Sequence, residues 1–161
     1  MDTILTTIRK ALQTQAQTVP PFASATGQVV LGNYNFAAGV PNFFGNIVTS
    51  GPWLFIEKTT GDADFVTFDG QFSIPIVLVS GFASNAPYDF TLDDDIIANL
   101  MQVWSNYSEW VQGGHLGGVR ATWGAPEMRT DNPGGGTNIY KTPIIVMGRY
   151  TVDAQLLTGA G

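Results

Sequence analysis

Two stretches with helical periodicity, each followed by stretches rich in strand formers, constrain this chain more than any other feature. In the first, Ile4, Leu5, Ile8, Ala11, Leu12 and Ala16 recur at three- and four-residue spacing. Asp2 or Thr3 stands where a cap is needed, and Thr18-Val19-Pro20-Pro21 supplies the stop, which predicts a helix over 3–17. Its other positions, Thr7, Arg9, Lys10, Gln13 and Gln17, read as a solvated face. In the second, Thr91-Leu92-Asp93-Asp94 fits a capping box, and Asp93, Asp94 and Asp95 match the positive end of a helix dipole. Ile96, Ile97, Leu100, Val103, Trp104, Tyr107 and Val111 then keep one apolar stripe along a helix over 92–111, ending at Gly113-Gly114. Each stripe must be covered, and a sheet is the simplest partner.

The strand formers supply that sheet. Residues 52–58 predict one strand, Thr59-Thr60-Gly61-Asp62 a turn and 64–70 a short strand. Within 71–82 the run Ile74, Ile76, Val77, Leu78 and Val79 is nearly continuous, which predicts a central strand buried on both faces with Pro75 at its start or at a bulge. Residues 117–130 and 138–152 predict a long hairpin across the Gly-rich loop 131–137, with Pro126 and Pro143 at edge or bulged positions and 154–161 as a flexible tail. The expected fold class is α+β: an antiparallel or mixed β-sheet packed by two amphipathic helices, in the order α-β-β-α-β-β. A chain of 161 residues, 44% of them hydrophobic, suits a single domain over 1–161.

Residues 22–51 differ in kind. They carry no charge and are rich in Asn, Gly and aromatics, as in Asn33-Tyr34-Asn35-Phe36 and Asn42-Phe43-Phe44-Gly45. A segment of this length without regular period is an extended loop or arm. Its aromatics leave two readings open, a loop tucked over its own core or an arm docking on a neighbouring subunit.

Charged residues make up only 12% of the chain, with one His and no Cys, which is a poor stock for acid–base or metal chemistry. His115 lies in a Gly-rich linker with no acid, Ser or Cys beside it in sequence. Asp62 and Asp64 match the start of a calcium loop, but Val66 stands where a third ligand belongs. The Gly-rich stretches lack the Gly-Lys-Ser/Thr ending of a phosphate loop. No catalytic residue, cofactor or metal is expected, and the chain reads as a non-enzyme. A net charge of −6 with scattered basic residues argues against gripping nucleic acid, and no apolar run reaches the length of a membrane span.

The order of helix 3–17, strands 52–58 and 71–82, helix 92–111 and strands 117–130 and 138–152 resembles that of the tail-terminator proteins of tailed bacteriophages, and covers most of the chain. The resemblance is one of element order. It implies a virion protein of the phage neck and tail, assembled in the host cytoplasm. It further implies a homohexameric ring that caps the completed tail tube and presents a surface to the head. Its partners would be copies of itself, the tail tube protein and a head-completion or connector protein, with DNA as passing cargo in the lumen and no membrane. Edge strands or the 138–152 hairpin would pair around such a ring, and Tyr34, Phe36, Phe43, Phe44, Trp110, Tyr140 and Arg149 are the candidate subunit or partner contacts. The competing reading is a carbohydrate- or ligand-binding β-rich module, in which exposed Trp and Tyr side chains stack on sugar rings while Asn and Asp bond the hydroxyls. Trp53, Trp104, Trp110 and Trp123, with Tyr88, Tyr107 and Phe90, are the aromatics that could stack sugars or fill the core and interfaces.

Overall fold

The computed structural model describes residues 3–34, 51–83, 87–107, 116–129 and 137–151. They form one mixed seven-stranded sheet with two helices, α1 (Ile4–Ala16) and α2 (Thr91–Trp104), packed on one face. The strands are β1 (Val29–Leu31), β2 (Trp53–Ile56), β3 (Thr60–Asp64), β4 (Asp69–Ala83), β5 (Leu116–Trp123), β6 (Glu127–Arg129) and β7 (Thr137–Thr151). Strand order is β1-β2-β4-β7-β5, with β3 also on β4 and β6 also on β7; only the β1–β2 pair is parallel. No described helix is long and apolar enough to cross a membrane.

Alternation along the strands sorts the core into two layers. Leu54, Ile56, Phe72, Ile74, Ile76, Leu78, Ile144 and Val146 point to the helices and meet Ile4, Ile8, Leu12, Ile96, Ile97, Leu100 and Trp104. The opposite face carries a smaller cluster of Phe55, Val77, Val79 and Ile139, flanked by Val30, Tyr34 and Trp53. The centre of β4 is thus buried on both faces, as its continuous apolar run predicts. At the far end of β4, Gly70 makes room for the buried Tyr150 ring, which a Cβ there would overlap.

β4 and β7 are each 15 residues long and form the spine, paired with each other over their whole length. Each is flanked on its outer side by two short strands with a gap: 57–59 between β2 and β3, and 124–126 between β5 and β6. Each gap faces a proline. The Glu57 N–H donates to the Pro75 carbonyl (2.8 Å) and the Gly124 N–H to the Pro143 carbonyl (3.0 Å). In an antiparallel ladder the N–H and C=O of one residue point the same way, so the missing N–H of each proline also faces the gap. Both prolines therefore lie inside the sheet. Neither is at a strand start, edge or bulge, because the neighbouring strand is interrupted instead. β7 is paired on both sides, so it is no free edge; the described outer edges belong to β1, β3, β5 and β6.

Other boundaries shift for local reasons. Residues 59–62 are no turn: β3 begins at Thr60, and the chain reverses after Asp64, whose Oδ1 accepts from the N–H groups of Val66 (2.8 Å) and Thr67 (3.2 Å). α2 is interrupted after Trp104, where the Ser105 hydroxyl is bonded back to the Gln102 carbonyl at 2.6 Å; Tyr107 is again helical, and the rest of the expected helix, 108–111, lies outside the described residues. Part of the uncharged 22–51 segment is core: Phe22 is fully buried in a short 3-10 turn, and Val29–Leu31 form β1. Residues 35–50 and the tail 154–161 lie outside the described residues.

α1 starts where Thr3 Oγ1 accepts from the Thr6 N–H. Its polar face is only partly solvated. Arg9 donates to the carbonyls of Glu57 and Ile56 (both 3.0 Å), Gln13 Nε2 to Val29 O (3.0 Å) and Gln17 Nε2 to Thr26 O (3.1 Å). These residues, four apart, form a second stripe that ties α1 to the β1–β2 edge and to the 3-10 turn leading into it. Gln13→Ala removes the bond to β1 and should loosen it by about 0.5–1.5 kcal/mol. Amide exchange of Val29–Leu31 should then quicken by up to about tenfold while that of β4 and β7 is unchanged. Uniform acceleration across the sheet would show instead that Gln13 acts on global stability.

Candidate interface surfaces

The hairpin joining β3 to β4 ends in an apolar tip. Phe65, Val66 and Phe68 are 75%, 88% and 59% exposed. Phe68 holds φ at 58°, a conformation that costs a bulky residue more than it would a glycine. Asp64 and Asp69 face each other across the base of the tip, a like-charge cross-strand pair. Hydrogen bonds from the Val66 and Thr67 amides hold the Asp64 carboxyl below its ordinary range, so it stays ionised.

The sheet face away from the helices carries an open trough of about 600 Å³ between β3 and β5. Asp62, Gln71, Ser73, Arg120, Met147 and Arg149 line it. Arg120 and Arg149 are exposed and make no ion pair among the described residues. β5 reaches this site through an irregularity: Gly117 pairs with Arg149 but Arg120 with Met147, so Gly118 and Val119 stand opposite Gly148 alone.

A third cluster lies on the helix side. Asp93 is 2% exposed, and its Oδ1 accepts from Ser80 Oγ (2.6 Å) and from the Tyr88 hydroxyl (2.8 Å). Tyr88, Phe90 and Tyr140 pack ring on ring beside it, with centroids 4.7–5.1 Å apart. Asp93 and Asp94 do lie in the first turn of α2, but the bonds that Asp93 accepts come from side chains and not from the helix's own N–H groups, so it is no cap. The N-cap of α2 is Phe90, with no side-chain cap bond, and it is Asp89 that accepts from the Thr91 N–H and hydroxyl. Ser80 is itself 3% exposed, and its bond to Asp93 fastens α2 to β4.

Burial raises the Asp93 pKa above its ordinary value; the bonds from Ser80 and Tyr88 oppose this, and nearby Asp94 adds to it. The native chain thus keeps a proton that the unfolded chain has lost. Stability falls as pH rises through a window opening near the unperturbed value of 3.8 and closing at the raised native one. Asp93→Asn removes this dependence, so the wild-type urea midpoint should fall relative to the variant's from acid to neutral pH. Parallel midpoint curves would refute it.

Of the sequence-derived contact residues, Tyr34 and Arg149 share the sheet face away from the helices. Tyr34 packs on Phe55 with ring centroids 5.2 Å apart, beneath Lys141 Nζ at 5.7 Å from its ring. Tyr140 is on the opposite face, in the ring cluster beside Asp93. Phe36, Phe43, Phe44, Trp110 and His115 lie outside the described residues. Phe65, Val66, Phe68 and Arg120 escaped the sequence reading: the first three are strand formers by propensity, and only Asp64, a turn-forming side chain just before them, hinted at their place on a tip. The chain matches no protein-family model and no curated protein sequence.

Proposed function

We propose that this protein is a structural subunit of the bacteriophage neck or tail. It resembles a tail terminator, forming a homohexameric ring that caps the tail tube and joins it to the head, with DNA passing through the lumen. The observation that carries the subunit reading is the exposed apolar tip of the β3–β4 hairpin. Three large apolar side chains held into solvent on a backbone that disfavours one of them are costly for a monomer and useful for a contact. The phage assignment rests on the resemblance in element order, with which two helices on one face of a mixed sheet are consistent. A net charge of −6 suits a lumen that must let DNA slide without holding it. In this reading the protein has no catalytic role; it is a virion component whose partners are its own copies, the tail tube protein and a head-completion or connector protein.

Negative-stain electron microscopy of the purified protein, alone and with tail tubes, tests the proposal. Six-fold rings with an open centre, free or seated on tube ends, support it. Particles that stay monomeric under both conditions overturn it.

A carbohydrate-binding reading keeps one specific observation in its favour, Trp123 on β5, which is 55% exposed. Quenching or shift of tryptophan fluorescence by oligosaccharides, lost in Trp123→Ala, would favour it over the ring.

A further inference from the structure

We propose that the β3–β4 tip of one copy docks into the Arg120–Arg149 trough of the next, a head-to-tail contact that builds the ring; the inference rests on the ring reading above. The tip presents Phe65, Val66 and Phe68 between two carboxylates, Asp64 and Asp69. The trough is lined by two arginines, Arg120 and Arg149, and by Met147, against the one carboxylate of Asp62. Charge and polarity are thus complementary: apolar side chains on the tip meet Met147 and the aliphatic stems of the arginines, and the facing acids meet the arginine heads. Arginine suits this role because its planar fork can hold a carboxylate while its stem stays packed.

The occupant is a second copy, because the tip cannot reach its own trough. β3 and β4 pair without interruption from Thr60–Ser73 to Asp64–Asp69, so the tip is carried straight out beyond the Asp62–Gln71 pair that lines the trough. Tip and trough are different surfaces, so the contact is heterologous, the type that closes into a ring when its rotation allows. It also accounts for two features that cost the isolated chain stability, the Asp64–Asp69 apposition and the left-handed Phe68.

The test uses two variants of the full chain. The tip variant carries Phe65→Ser and Phe68→Gly, the second of which relieves the positive φ, so this variant should fold at least as well as the wild type. The trough variant carries Arg120→Glu and Arg149→Glu, both at exposed positions. Sedimentation velocity should show the wild type associating with rising concentration and each variant remaining monomeric at more than tenfold higher concentration. An equimolar mixture should form a one-to-one dimer and nothing larger, because the trough variant keeps a good tip and the tip variant a good trough. Two monomeric variants whose mixture stays monomeric overturn the contact. So does undiminished association of both variants, which would leave the ring reading standing on another contact. A wild type that shows no association overturns the contact as a self-contact, and the electron microscopy with tail tubes then decides the ring reading separately.

Discussion

Replacing Phe22 by alanine will lower the free energy of unfolding by about 3–5 kcal/mol, the largest effect expected in the first third of the chain. Phe22 follows the end of α1 and opens a long uncharged segment, which by sequence is either a loop tucked over its own core or an arm reaching a neighbour. It is fully buried, with Val19 at 2% exposure just before it and the apolar faces of α1 and the sheet around it. The 3-10 turns at Phe22–Ser24 and Thr26–Gln28 lead directly from this anchor into β1. Truncation leaves a cavity between α1 and the sheet edge that the turn cannot fill, because the Ala23 and Ala25 amides are tied to the carbonyls of Val19 and Phe22. A domain of ordinary stability has about 5–15 kcal/mol in total, so the variant should unfold at markedly lower urea. A loss under about 1 kcal/mol would show that the site collapses or that Phe22 is not core.

Trp104 should be as costly. It closes α2, is 4% exposed, and its Nε1–H donates to the Leu12 carbonyl at 3.1 Å, so it joins the two helices by both contact and hydrogen bond. Trp104→Ala should cost about 3–5 kcal/mol through the cavity. Trp104→Phe keeps an aromatic ring and loses the donor and part of the volume, and should cost about 1–3 kcal/mol. The gap between the two variants separates packing from the hydrogen bond. Equal losses would mean that the bond to Leu12 dominates, and a small loss in both would mean that α2 ends before reaching α1.

The helix phases were legible from residues alone. Ile4, Ile8, Leu12 and Ala16 on α1, and Ile96, Ile97, Leu100 and Trp104 on α2, are the buried apolar positions, and the apolar run of β4 is the two-sided central strand. These signals are local: a repeat of three and four, a cap, a continuous run. Contact surfaces were legible only in part. Arg149 was singled out and lines the trough, but Arg120 was not, because their proximity is created by β5 crossing to β7 with a register irregularity. The exposed tip was hidden by β-propensity: Phe65, Val66 and Phe68 favour strands wherever they occur, and only the Asp64 turn puts them at a strand's end.

By itself, then, the sequence determined which faces of which segments must be buried, because burial follows the chemistry and spacing of neighbouring residues. Tertiary structure alone decided the fate of the polar and special groups. Asp93 became a buried anchor and not a cap because Ser80 and Tyr88 arrive from elsewhere in the chain. Arg9, Gln13 and Gln17 became ties to carbonyls because the β1–β2 edge and the 3-10 turn before it lie beside them. Pro75 and Pro143 could sit inside the sheet because the strands next to them stop short. A hydrogen-bonding group is satisfied by whatever is placed within about 3 Å of it, and that placement is a property of the assembled fold.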